Sequence, residues 1–115
     1  MKKIICLFLV VVCVTLSAVA ESYTVKKDGK NVGTVTCEVI DYKYINRAGW
    51  GHSYTLKVTN NTPYSVYVTV RPKGVSSKNA NSQSDDISAW SYDKNFTFST
   101  GEDEPTGWEI TAWVN

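Results

Sequence analysis

His52 is the single histidine in this 115-residue chain, and three cysteines accompany it. These are the side chains best suited to act as base or nucleophile near neutral pH. Ser53 follows His52 directly. In an extended segment neighbouring side chains point to opposite faces, so the two do not form a nucleophile–base pair. A serine–histidine–acid arrangement would have to draw on a distant hydroxyl such as Ser88 and on an orienting carboxylate. The sequence holds no nucleophile elbow, phosphate loop or zinc-ligand spacing. Asp85-Asp86 and Glu102-Asp103-Glu104 offer hard oxygen ligands of the calcium type on two loops. Neither follows the EF-hand spacing, and loop acids are more commonly just solvated. The expectation is therefore a protein that is not an enzyme and has no metal or cofactor.

Aromatic residues are the stronger lead. Trp50, Trp90, Trp108 and Trp113 occur beside seven tyrosines. In the closing stretch GWEITAWVN, strand alternation puts Trp108 with Ile110, Ala112 and Val114, and Trp113 with Glu109 and Thr111. Trp108 and Trp90 read as core, where each buries on the order of 200 Å². Trp50 sits between Gly49 and Gly51, after Arg47, as a loop indole free to present its face. Tyr67 and Arg71 fall on the outward parity of their strand. Trp50, Tyr67, Arg71 and Trp113 are the candidate binding residues. Such rings anchor protein contacts, where Trp, Tyr and Arg are over-represented. They also stack on sugar rings, or simply cover cross-strand neighbours at about 0.2–1 kcal/mol per pair.

The elements that must position these residues are strands. From residue 21 onward, β-branched and aromatic residues alternate with polar ones, and turn residues interrupt them about every ten positions. SYTVKK is a first strand, and Asp28-Gly29-Lys30-Asn31 a turn with Gly29 suited to positive φ. VGTVTCEVIDYKYI is a long second strand. Val35, Cys37 and Val39 share one parity, and Ile40, Tyr42 and Tyr44 the other. A bulge or a change of sheet near Ile40 reconciles the two series. SYTLKVTN groups Tyr54, Leu56 and Val58; SVYVTVR puts Val66, Val68 and Val70 inward, with Pro72 ending the strand. Residues 73–86 read as a long flexible connection. ISAWSY, NFTFST and WEITAWV are expected strands, with the acidic loop GEDEPTG before the last.

The N-terminal segment has its own logic. Lys2 and Lys3 precede an apolar run from Ile4 to Leu16, and Ala18-Val19-Ala20 supplies a small-residue cleavage site. That is the layout of a cleaved secretory signal peptide over 1–20, too short in its apolar run for a membrane span. Val12 before Cys13 and Ile5 before Cys6 do not suit a lipoprotein anchor. The remaining 21–115 suits one domain. Without Lys2 and Lys3, ten basic residues face eleven acidic ones, which gives no reason to expect a nucleic-acid partner. The charge is segregated: residues 21–80 hold nine basic and four acidic side chains, and 81–115 hold one and seven. Only Cys37 remains beyond the leader, so no intrachain disulfide forms there, and its parity marks a buried thiol. Asn60-Asn61-Thr62 and Asn95-Phe96-Thr97 are sequons, relevant only in a glycosylating cell; the leader is bacterial in style.

About seven short strands at this spacing predict an all-β, two-sheet antiparallel β-sandwich of immunoglobulin-like type, with a small barrel of OB type as the alternative. The segment YTLKVTNNTPYSVYVTVRP resembles a hairpin of exported immunoglobulin-like and fibronectin-III-like modules, through Val58, Asn60, Thr62, Val66, Val68 and Val70. The likeness covers one hairpin, implies fold and an exported setting, and assigns no functional residue. The expected role is an exported binding or interaction module, secreted, periplasmic or at the cell surface, with a protein partner. A carbohydrate-binding module is the second reading. A secreted inhibitor or toxin-like effector acting through the Trp50 loop is the third.

Overall fold

A computed structural model of the chain describes residues 20–48 and 50–115. The leader expected over 1–20 lies, apart from Ala20, outside the described residues. Seven strands follow: β1 (Glu21–Lys27), β2 (Lys30–Ile45), β3 (Gly51–Asn61), β4 (Val66–Lys73), β5 (Gln83–Ile87), β6 (Tyr92–Gly101) and β7 (Gly107–Val114). Among the described residues there is no α-helix, only a 3₁₀ turn at Ser77–Asn79. None of their helices is long and apolar enough to cross a membrane.

The strands form two antiparallel sheets, ordered β1-β2-β3-β6 and β5-β4-β7. Immunoglobulin domains of the constant type share this four-plus-three layering, but group strands 1-2-5-4 against 3-6-7. Here the chain makes three successive neighbours before it first changes sheet. The β1–β2 turn is shorter than expected, since Lys30 and Asn31 already belong to β2; Asp28 and Gly29 both have positive φ, 54° and 78°, as a two-residue hairpin of the primed type requires.

Alternation fills the space between the sheets. Val25, Val35, Cys37, Leu56 and Val58 from one sheet meet Val66, Val68, Val70, Ile110 and Ala112 from the other. Val66, Val68 and Val70 have no exposed surface, and each such burial contributes about 1.5–3 kcal/mol. Trp108 is buried as expected and packs on Phe98, with ring centroids 5.1 Å apart. Asn60 is the polar exception. It is fully buried, and its amide nitrogen donates to the carbonyls of Tyr64, Ile87 and Ser88 at 2.8, 2.9 and 3.0 Å. Its oxygen accepts from the Thr62 amide and hydroxyl at 3.0 and 2.8 Å. One side chain on β3 thus ties the β3–β4 turn to the end of β5. The first sequon's asparagine is spent on this role.

Three expectations about elements are corrected. Residues 73–86 are not one flexible connection: Gln83–Ile87 forms β5 against β4, with Val66 opposite Ile87 and Val70 opposite Gln83. ISAWSY is not a strand; β5 ends at Ile87, Ser88–Ser91 turns the chain, and β6 starts at Tyr92. Pro72 does not stop β4, which runs to Lys73 beside β7. The β4–β5 ladder has already ended at Val70, so Pro72 lies where β4 has only one neighbour. Trp90 is also misread as core. It is 68% exposed, has φ 58°, and its N–H donates to the Thr62 carbonyl at 3.1 Å. The turn needs a left-handed residue there, and the backbone carries the indole out of the interior.

Candidate functional site

The bulge expected near Ile40 builds the most distinctive surface. Val39 pairs with Leu56 and Asp41 with Thr55, so Ile40 is the extra residue. The inserted residue moves Tyr42 and Tyr44 onto the face already held by Val35, Cys37 and Val39. There they stand opposite Tyr54 and His52 of β3. Gly51 lets β3 begin close to β6: at its φ of 70°, a Cβ would overlap the Gly101 carbonyl. The hairpin runs on past the core, and its inner face becomes an aromatic ledge.

The ring contacts are continuous. Tyr42 lies 4.9 Å from Tyr54 and stacks on His52 at 5.8 Å, and Tyr44 meets His52 edge-on at 5.1 Å. Tyr54 meets Trp108 edge-on at 5.4 Å, which roots the ledge in the core. Tyr42 and Tyr44 are each 47% exposed. Hydrogen bonds fix the rings. The Tyr42 hydroxyl is 2.6 Å from His52 Nδ1, and the Tyr44 hydroxyl donates to Glu102 at 2.7 Å. His52 Nε2 faces Glu104 at 3.7 Å. When Tyr42 donates to Nδ1, the imidazole proton sits on Nε2, the side turned to that carboxylate. The bond to Glu102 raises the Tyr44 pKa above its ordinary value. Burial, with Tyr42 and Glu104 nearby, pushes Tyr54 up to about 12. The raised pKa values keep the Tyr44 and Tyr54 hydroxyls protonated at neutral pH, and Glu102 and Glu104 stand at the rim of the rings. The arrangement offers ring faces with a polar rim; no serine or cysteine stands in its hydrogen-bonded chain.

The rim is itself ordered. Asp103 accepts from the Ser76 amide and hydroxyl at 2.9 and 2.7 Å and from Asn79 at 2.9 Å, and these bonds lower its pKa to about 2. It serves the loop, while Glu102 and Glu104 face the rings. Among the described residues no group of three or more His, Cys, Asp or Glu is placed to hold a metal ion. Cys37 is buried, and burial, reinforced by Glu21, pushes its thiol up to about 12.

The four residues singled out from sequence fall into two places. Tyr67 and Trp113 are cross-strand partners on the outer face of the smaller sheet, with ring centroids 5.4 Å apart. Arg71 lies on the same face opposite Glu109, beside an open groove lined by Thr69, Ser82 and Thr111. The expected strip on a shared sheet is therefore present, and Trp113 remains 55% exposed. Trp50 is elsewhere: at the tip of the β2–β3 hairpin, 46% exposed, with the Arg47 guanidinium 5.6 Å from its ring centre. The hairpin tip meets the Gly101 end of β6, whereas Trp113 lies beside Val66 and Val114 at the far end of β7. Trp50 and Trp113 do not form one site. Sequence reading missed Tyr42, Tyr44 and His52 as a group. The signal was there in the parity break at Ile40, whose consequence for the two tyrosines depends on how far the opposite sheet extends.

No family model matches this chain, and no curated protein or solved structure does either.

Proposed function

We infer that this chain is an exported, non-enzymatic binding or interaction module, acting outside the cytoplasm, that holds a protein partner through exposed aromatic rings. The observation that supports this reading is the ledge of Tyr42, Tyr44 and His52, with Trp50 exposed at the tip of the same hairpin. Aromatic side chains lose little rotamer freedom on binding and bury large areas, which is why few of them can carry an interface. Glu102 and Glu104 at the rim suit a partner that brings cationic side chains onto the ring faces. A photo-crosslinking residue at position 44 or 50 tests the reading in the source cell, with position 99 on the opposite face of the same sheet as control. A discrete protein adduct from 44 and 50 but not from 99 is expected. Equal labelling from all three, or none, would remove it.

A carbohydrate reading belongs to the other sheet. Tyr67 and Trp113 are tilted by 36° to one another and sit on the same face as a groove of hydroxyl and charged groups. An exposed indole with a neighbouring phenol and hydrogen-bonding groups is what a sugar ring needs. Titration of tryptophan emission with soluble and insoluble polysaccharides separates the two readings, because Trp113→Ala would abolish a sugar response and leave the crosslinks at 44 and 50 intact.

A further inference from the structure

Among the described residues the outer edge of β2 is open over half its length. β1 pairs with β2 from Lys27–Lys30 to Glu21–Cys37 and goes no further. Beyond Cys37, β2 continues to Ile45, bonded to β3 on one side only among the described residues. Five consecutive residues there, Ile40 to Tyr44, are exposed, although they belong to a strand. The stretch IDYKY is rich in residues that favour strands, and an unpaired edge of this kind is a template for another strand.

We propose that a second copy of this chain occupies that edge, with β2 pairing antiparallel to β2 about a two-fold axis at Tyr42. Charge chooses both the occupant and the register. Asp41 and Lys43 lie on the outer face of the sheet, opposite Thr55 and Ser53, and neither has an ion-pair partner among the described residues. A two-fold axis through the sheet keeps like faces together, so it must pass through a residue position. Centred on Asp41 or Lys43, it sets like charges face to face. Centred on Tyr42, it sets Asp41 against Lys43 of the second copy, twice over. The same centre lies near the middle of the free stretch, residues 38–45. The Val39–Asp41 bulge adds twist at one end, which leaves Asp41, Tyr42 and Lys43 as the middle of the ladder. The larger sheet then runs continuously from one copy to the next, with Tyr42 of one copy beside Tyr42 of the other on the ledge face. The partner contact proposed above is not needed for this, and either can fail alone.

Charge swapping tests the register. The processed, exported protein is followed by sedimentation equilibrium across a concentration series. A monomer–dimer equilibrium is expected for the natural chain. D41K and K43D, each on the exposed face, should each weaken it about tenfold or more, since two attractive pairs become repulsive ones. An equimolar mixture of D41K with K43D should restore dimer, because each then meets the opposite charge at both positions. That rescue also shows that the single variants are folded. A chain that stays monomeric at all concentrations, a dimer indifferent to both reversals, or a mixture that fails to reassociate would each overturn the proposal.

Discussion

The Gln83 carboxamide meets both polar groups of the Thr97 backbone: its nitrogen donates to the Thr97 carbonyl, and its oxygen accepts from the Thr97 N–H at 3.2 Å. Gln83 begins β5 in one sheet, and Thr97 lies in β6 of the other. The side chain takes the place of a missing strand and blunts the free edge of β6. At the opposite seam Glu21 accepts from the Trp108 N–H at 3.1 Å and pairs with Lys73 at 3.6 Å. Both open sides of the sandwich are thus bridged by one side chain rather than by a ladder, which keeps two sheets from becoming one barrel.

Replacing Gln83 separates hydrogen bonding from shape. Gln83→Met keeps length and loses both bonds, at a cost of about 0.5–1.5 kcal/mol, because the site is exposed and water replaces part of the loss. Gln83→Glu should cost more, since it brings a carboxylate to the Thr97 carbonyl. Urea unfolding gives the order. A glutamate variant as stable as the natural chain would show that the seam does not depend on this amide.

Asn60 should be the least replaceable polar residue. Its amide hydrogens serve three carbonyls with no solvent access. Asn60→Asp removes the donors and sets a buried carboxylate among acceptors; about 3 kcal/mol or more should be lost. Asn60→Leu leaves the carbonyls unpaired without adding charge and should cost less. Thermal melts of the two variants check the order, and equal losses would mean that volume rather than hydrogen bonding governs the site.

The fold was legible where a period of two ran unbroken. Val66, Val68 and Val70 are buried on the parity their sequence implies, and Tyr67 and Arg71 emerge on the other side. The parity break at Ile40 was readable as a bulge or a change of sheet, and the bulge is the one that occurs, so both halves of β2 serve one face. Legibility failed where polar residues form strands. QSDDI is β5 because an edge strand over the rim of a sheet needs only one buried residue, Ile87. Trp90 failed for the converse reason: an apolar side chain was taken to imply burial, but a left-handed turn decides its direction. For the ledge the parity break at Ile40 gave a signal, but not the partners across the strands. Tyr42 and His52 are ten residues apart, and their meeting depends on register, which a turn with uncertain length does not disclose.

Cys37 gives the protein a characteristic weakness in alkali. Its folded pKa is raised to about 12, mainly by burial. The unfolded thiol ionises near its ordinary value of about 8.5. Below that value both states hold the proton, and the thiol leaves stability unchanged. Above it only the unfolded chain is deprotonated, so stability falls by about 1.4 kcal/mol per pH unit until the folded thiol follows near 12. The comparison is with Cys37→Ala, which differs from the natural chain in this thiol alone. The natural chain should lose more stability than the variant between pH 8 and 10.5. Parallel slopes would place the thiol in contact with water, and rapid labelling of the native protein by a thiol reagent would say the same.

The Asp103 bridge should melt in acid, and in the opposite sense. Three donors from Ser76 and Asn79 lower its carboxyl pKa to about 2, whereas in the unfolded chain it titrates near its ordinary value of about 3.9. Its contribution is therefore complete above about pH 4 and disappears as the pH falls through about 2. The bond to the Ser76 amide is 2.9 Å long, which makes that amide proton a direct reporter. Its chemical shift should titrate with a midpoint near 2, well below that of solvated carboxylates. Asp103→Asn, which keeps an acceptor and removes the charge, should abolish the titration and raise hydrogen exchange at Ser76 and Asn79. Glu102 and Glu104, on either side of Asp103, make their own contacts to Tyr44 and His52, so those two residues should keep their shifts in this variant as long as Glu102 and Glu104 hold their places. A midpoint near 4 at Ser76 would show that the three bonds do not persist in solution, and the rim of the ledge would then lack the support assigned to it.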